Sequence, residues 1–168
     1  MAPINVSLTR RKLALVAAAG GLVACGGPEA TCGPTSGVVA RAIDGDTIEL
    51  TSGERIRYLL VDTPESVNGA TDCYGENAHQ LNSDLVAGKT VELTYDEAGC
   101  TDRFDRLLAY VAVDGVEVNR LLVERGYACA LYIPPAGTDR HVEFENLEAA
   151  ARAAGRGMWS ACTVVTCD

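Results

Sequence analysis

Positive charge is scarce. The 168-residue sequence has 14 Lys+Arg against 23 Asp+Glu, a formal net charge of −9, and its lysines are limited to Lys12 and Lys89. That balance excludes a protein living by non-specific attraction to phosphate, though it leaves room for an enzyme with a few well-placed arginines. Long apolar runs are also missing: none reaches the roughly 18 residues that span a bilayer. No Cys-x-x-Cys occurs, and His79 and His141 lie far from any close cysteine pair, which argues against zinc. Internal repeats and low-complexity blocks are absent from residues 38–162. What remains is globular composition, 48% hydrophobic and 22% charged, enough for one domain with short extras.

The first residues set an expectation of export. Arg10, Arg11 and Lys12 precede Leu13–Ala24, which is apolar or small throughout, the pattern of a signal segment. Arg10-Arg11 also resembles part of a twin-arginine signal. The segment ends in Leu22-Val23-Ala24-Cys25, similar to a bacterial lipobox, in which the cysteine is lipidated and becomes the new N-terminus; an ordinary signal peptide with an incidental cysteine is the alternative. Loss of residues 1–24 leaves 11 Lys+Arg and 23 Asp+Glu, a formal −12. Residues 25–37 then read as a lipidated Cys25 and a Gly/Pro/Ser/Thr tether reaching about 20 Å if flexible. Acyl chains on Cys25 would hold a domain of residues 38–162, with a tail at 163–168, to a membrane outside the cytoplasm. Six further cysteines, 32, 73, 100, 129, 162 and 167, suit disulfides in such a compartment, and six allow fifteen pairings.

Short elements fill the domain. Val38–Ile43, Thr47–Leu50 and Arg55–Val61 read as a meander turning at Asp44-Gly45 and Ser52-Gly53. Tyr74–Ala87 has helical spacing at Ala78, Leu81 and Leu85 and stops at Gly88. Thr90–Tyr95 and Leu107–Val113 read as strands. Glu117–Arg125 reads as a short helix, and Asp139–Ala154 as a longer one capped near Thr138 or Asp139. Five short strands with a helix after the third predict an α+β, mostly β fold: a five-stranded OB-fold β-barrel with three helices, or an open α+β sheet.

Three segments concentrate the polar chemistry: Asp44-Gly45-Asp46-Thr47, Arg57 through Val61-Asp62-Thr63-Pro64-Glu65, and Thr101-Asp102-Arg103-Phe104-Asp105-Arg106. Each has a plain structural reason on its own. Asp-Gly makes hairpin turns, Pro64 ends a strand, and charges at 101–106 suit a solvated loop. Together they supply what phosphodiester hydrolysis needs. Asp46, Asp62 and Glu65 offer hard oxygens suited to Ca²⁺. Arg57 and Arg106 offer planar forks suited to phosphate.

These segments, with Tyr74-Gly75, Val118-Asn119 and Gly157-Met158-Trp159, resemble the staphylococcal nuclease (thermonuclease) family over roughly residues 38–160. The resemblance implies an OB-fold barrel with three helices and cleavage of DNA and RNA to 3′-phosphate ends. It implies Ca²⁺ on the Asp46 and Asp62 carboxylates and the Thr63 carbonyl, with Asp44 supporting the site from behind. Glu65 would act as general base, and Arg57 and Arg106 would grip the phosphate. It also implies the pairings Cys73–Cys100, Cys129–Cys162 and Cys32–Cys167. The chain departs from the family in its acidity, in a lysine-free segment 66–73, and in Phe104 where a tyrosine hydroxyl usually assists a phosphate. Near Tyr132, which would stack a base, the spacing shifts by one.

The function expected is therefore a monomeric, lipid-anchored, Ca²⁺-dependent nuclease acting on DNA or RNA. A non-catalytic barrel that binds nucleic acid or another ligand is the rival, and a structural lipoprotein whose acidic turns only bind Ca²⁺ is a third reading. Pure binding has no use for Glu65. Arginines beside a Ca²⁺ site weaken it unless a phosphate is bound there.

Overall fold

The computed structural model describes residues 32–66, 71–96 and 98–167. The expected signal segment, Cys25 and most of the tether lie outside them. In chain order the elements are β1 (Ser36–Ala42), β2 (Thr47–Leu50), β3 (Arg55–Tyr58), β4 (Val61–Asp62), α1 (Gly75–Val86), β5 (Thr90–Tyr95) and β6 (Leu107–Val113). They continue with β7 (Val116–Glu117), α2 (Val118–Glu124), β8 (Cys129–Ala130), α3 (His141–Ala153) and α4 (Met158–Ala161). Among the described residues no helix is long and apolar enough to cross a membrane.

Five strands close into a barrel in the order β3-β2-β1-β5-β6, and a parallel β6–β3 pairing completes the ring. β1 serves two neighbours. Its first half pairs with β5 through Ser36↔Glu92 to Val38↔Thr90, and its second half with β2, with a register shift between Val39 and Arg41. Such a bulge bends a strand, as closure of a small barrel requires. The alternation in Thr90–Tyr95 places Val91 and Leu93 inward. They join Val39, Ile48, Leu50, Ile56, Tyr58 and Val111 in the core. The barrel, and not the open sheet, is the arrangement found.

Three expected elements differ from the structure. The strand expected over Arg55–Val61 breaks after Tyr58, because Leu60 takes a left-handed conformation, φ 61°. Val61 and Asp62 then pair with Ala130 and Cys129 in a second, two-stranded sheet. The helix expected from Glu117 begins at Val118, since Val116 and Glu117 pair back onto Val113 and Ala112. α3 has no side-chain cap: the Thr138 hydroxyl donates to the Pro135 carbonyl at 2.6 Å instead. The buried face of α1 is also rotated from the expected one. Gly75, Ala78, Asn82 and Val86 are buried, while Leu81 and Leu85 are half-buried on its flank.

The disulfides found are Cys32–Cys100, Cys73–Cys162 and Cys129–Cys167, with Cα–Cα distances of 5.1, 5.9 and 6.1 Å. None of the implied pairings, Cys73–Cys100, Cys129–Cys162 or Cys32–Cys167, is present. The reason lies in where the chain enters. The Tyr95 hydroxyl donates to the Pro34 carbonyl at 2.8 Å, so the segment before β1 runs along the end of β5, beside Cys100. Residues 32–37 are therefore part of the folded unit and not tether. Cys73 faces the other way: the adjacent Tyr74 packs on Tyr127, ring centroids 5.0 Å apart, on the side where α4 ends at Cys162. Cys129 in β8 is joined to the tail at Cys167.

Candidate active site

The β1–β2 hairpin, the break after β3 and the loop before β6 meet at one end of the barrel. In the hairpin, the Asp44 carboxylate accepts from the Asp46 N–H at 3.0 Å, a turn that fixes its own backbone. Burial and the neighbouring Asp46 charge push the Asp44 pKa up to about 6. Asp46 is 5% exposed. Its Oδ2 accepts from the Thr63 N–H at 2.9 Å and hydroxyl at 3.1 Å, and its Oδ1 from the Thr47 hydroxyl at 3.1 Å. Gly45 permits this approach: a Cβ there would lie 2.6 Å from the Thr63 hydroxyl oxygen. The left-handed Leu60 thus has a purpose, since the break it makes turns Asp62 and Thr63 toward the hairpin.

Arg57 sits in the middle of the ring, paired with Thr47 on β2 and Leu108 on β6. Its guanidinium joins Asp46 Oδ1 at 3.2 Å to Asp62 Oδ1 at 2.9 Å and also donates to the Tyr58 and Val61 carbonyls. Two carboxylates on one buried fork fix each other's position. Arg106 is held from another direction. Its fork pairs with Asp102 at 2.7 Å, and its Nη1 reaches the Thr47 hydroxyl at 3.5 Å. Burial opposes charge on Asp102, but hydrogen bonds from Arg106 and from the Phe104 and Arg106 N–H groups outweigh it and hold its pKa below the ordinary value. Phe104 is 63% exposed, beneath the Arg103 and Arg106 guanidinia at 4.7 and 5.4 Å from the ring centre.

Beside the two arginines lies a cleft of about 470 Å³, lined by Arg57, Asp102, Phe104, Arg106, Ile133 and Pro134 among others. Tyr132 does not stand free for stacking. Its ring lies on His141, centroids 4.5 Å apart, and its hydroxyl bonds Thr138 at 2.7 Å.

Of the residues read from the sequence, Asp44, Asp46, Arg57, Asp62, Thr63 and Arg106 are linked by these contacts. Glu65 is exposed, two residues beyond Thr63, and its carboxylate contacts none of the others among the described residues. Three residues to which the sequence pointed no role complete the frame. Thr47 joins Asp46 to Arg106. Asn82, fully buried in α1, donates to the Asp44 carbonyl at 2.9 Å and accepts from the Tyr58 hydroxyl at 2.7 Å. Asn119, fully buried in α2, donates to the Leu59 and Ala109 carbonyls and accepts from the Val111 N–H at 2.8 Å, so it pins the β3 break to β6. Polar side chains at buried helical positions were the available signal.

The donor chemistry fits a hard cation. Asp46 and Asp62 share the Arg57 guanidinium, and Thr63 follows Asp62 in the chain with its carbonyl. Among the described residues no group of three or more His, Cys, Asp or Glu side chains forms a metal cluster. Two carboxylates and a carbonyl would offer an all-oxygen donor set of the kind Ca²⁺ takes, with none of the sulfur or imidazole ligands usual for zinc.

A closed five-stranded mixed barrel with three helices and the short α4 defines an OB-type domain, and its acids and arginines converge at one end. The family model "Staphylococcal nuclease homologue" matches residues 55–161, and the chain belongs to that family. It is 39% identical over 131 residues to "Endonuclease YncB" of Bacillus subtilis (strain 168), covering 75% of this chain and 62% of the relative. It is 37% identical over 131 residues to "SPbeta prophage-derived endonuclease YokF" of the same organism, covering 75% of this chain and 44% of the relative. An "Uncharacterized endonuclease" of Escherichia coli O157:H7 is 37% identical over 133 residues, covering 77% of this chain and 80% of the relative. The chain thus spans about half to three-fifths of the Bacillus subtilis relatives.

Proposed function

We propose that this protein is a Ca²⁺-dependent endonuclease that hydrolyses DNA, RNA or both to 3′-phosphate ends. The observation that carries the reading is the single fork of Arg57 on Asp46 and Asp62, with Arg106 reaching the same cluster through Thr47. Asp46, Asp62 and the Thr63 carbonyl would hold the ion. When bound, Ca²⁺ neutralises phosphate charge and lowers the pKa of a water in its shell. Glu65, exposed and with no partner for its carboxylate among the described residues, takes the proton from the attacking water. Arg57 and Arg106 donate to phosphate oxygens whose charge grows in the transition state. The acidic surface removes long-range attraction, so single-stranded, accessible substrate is favoured and salt dependence is shallow.

Purified residues 26–168 should cleave single-stranded DNA with Ca²⁺ and stop in excess chelator. Undiminished cleavage in chelator would remove the metal from the mechanism, and nucleotide binding without cleavage under any condition would leave a binding module.

We also propose export and lipid anchoring through Cys25, supported by the lipobox-like Leu22–Cys25 and by three cystines in the fold. Wild type should label with palmitate in cells and Cys25→Ser should not. Equal labelling would contradict the anchor.

A further inference from the structure

We propose that the Cys73–Cys162 disulfide, acting through Asp72, positions Glu65 for proton abstraction, so that turnover depends on this cystine beyond its contribution to stability. The inference rests on the reading of Glu65 as the base. Glu65 has no side-chain partner among the described residues, and what holds it there is its backbone. Asp72 supplies that hold: its N–H donates to the Glu65 carbonyl at 2.9 Å, and its carboxylate accepts from the Glu65 N–H at 3.4 Å. One of those bonds is long, and a single hydrogen bond adds little net stability because water competes for both partners.

Cys73 follows Asp72 directly and ties it to firmer structure. Its partner Cys162 closes α4, whose Met158 is fully buried and donates to the Gly126 carbonyl at 2.9 Å. On the next residues, Tyr74 is left-handed, φ 77°, and Gly75 lies so close to the Glu65 carbonyl that a Cβ would collide with it. A connected path therefore runs from α4 through Cys162, Cys73 and Asp72 to Glu65. Misplacing a catalytic group by about 1 Å can cost around 10²-fold in rate.

The other cystine at the C-terminus differs. Cys129 is already held in the β4–β8 ladder opposite Asp62, so opening Cys129–Cys167 frees the tail and not the strand. Cys73 is exposed, within reach of thiols. An external dithiol that reduces Cys73–Cys162 to two thiols, itself becoming a disulfide, slows cleavage, so a reduced chain is a poor nuclease.

The test compares wild type, Glu65→Gln, Asp72→Ala, Cys73→Ser/Cys162→Ser and Cys129→Ser/Cys167→Ser. Steady-state cleavage, Ca²⁺ affinity, melting temperature and exchange of the Asp72 amide without Ca²⁺ are measured. Both cystine variants should lose thermal stability. Only Cys73→Ser/Cys162→Ser should lose about tenfold or more in kcat with KM and Ca²⁺ affinity nearly unchanged, and only there should the Asp72 amide exchange much faster. Asp72→Ala, which keeps every disulfide, should lose kcat in the same way without a large change in melting. Equal kcat losses in the two cystine variants, or an unchanged kcat in Asp72→Ala, would overturn the inference while an inactive Glu65→Gln left the base reading standing. A Glu65→Gln enzyme at the wild-type rate would overturn both.

Discussion

The two arginines of the site are held in opposite ways. Arg57 lies within the barrel wall, its side chain 13% exposed, committed to two carboxylates and two backbone carbonyls. Arg106 stands at the end of a loop, its side chain 26% exposed, with Asp102 as its firm partner and Thr47 at the limit of a hydrogen bond. The same contrast divides the whole site. Asp44, Asp46, Asp62 and Thr63 are locked by strand pairing and buried hydrogen bonds, whereas Glu65 and Arg106 are presented on loops. Under the proposed function, such a site would keep its ion-binding acids and Arg57 rigid and leave Glu65 and Arg106 to be set by substrate.

The contrast is broken most strongly through Arg57. Arg57→Ala leaves Asp46 and Asp62 without their fork, and removing one partner of a buried pair typically costs about 3–5 kcal/mol. It should also lower kcat by about 10²–10³. Arg106→Ala should lose about as much kcat but only about 0–1 kcal/mol, because its pair with Asp102 is partly exposed. Cleavage rates and denaturant unfolding of the two variants check this; equal stability losses would erase the distinction. Lysine should rescue neither rate, since an ammonium has no fork.

Next comes the frame behind each half. Asn119→Leu would take their Asn119 partner from the Leu59 carbonyl and the Val111 N–H, while the Ala109 carbonyl keeps the Leu59 N–H at 3.0 Å, at about 1–3 kcal/mol for each group left buried and unpaired. Glu65→Gln should move stability by less than about 0.5 kcal/mol while cutting kcat by about 10²–10⁴. Unfolding and kinetics on these two variants separate architecture from chemistry; an Asn119→Leu protein as stable as wild type would contradict the pinning role.

The smallest effect concerns Asp102. Its pKa is depressed in the folded protein, so its contribution to stability is present above the unfolded value, about 3.9, and is lost as pH falls through the folded value. Wild type should therefore melt above Asp102→Asn at neutral pH, and the gap should close in acid. A gap independent of pH would show that the carboxylate charge is not what holds Arg106.

Much of this arrangement is legible in the sequence where one signal decides. Thr47–Leu50, Thr90–Tyr95 and Leu107–Val113 coincide with their strands, because turn residues bound them and Val91 and Leu93 alternate inward. The wholly apolar Tyr58–Val61 carries no period, so nothing local reveals that Leu60 turns left-handed and sends Asp62 across to β8. Asn82 and Asn119 read as ordinary helix residues, since their worth depends on carbonyls that only the folded barrel brings near. The disulfide pairing is hidden for the same reason. It follows from the path of residues 32–35 along β5 and from Tyr74 meeting Tyr127, contacts distant in sequence. The acid and arginine positions themselves are legible because their chemistry is specific even when their geometry is not.

Under the proposed function, a rigid ion-binding half and a loop-borne half carrying Glu65 and Arg106 divide the labour of the site. Calorimetric titration of Ca²⁺ into wild type, Asp46→Asn and Glu65→Gln, each with a non-hydrolysable nucleotide present, tests this division most directly. The account predicts that Asp46→Asn loses Ca²⁺ affinity while Glu65→Gln binds Ca²⁺ as wild type does and yet fails to cleave; unchanged Ca²⁺ affinity in Asp46→Asn would contradict it.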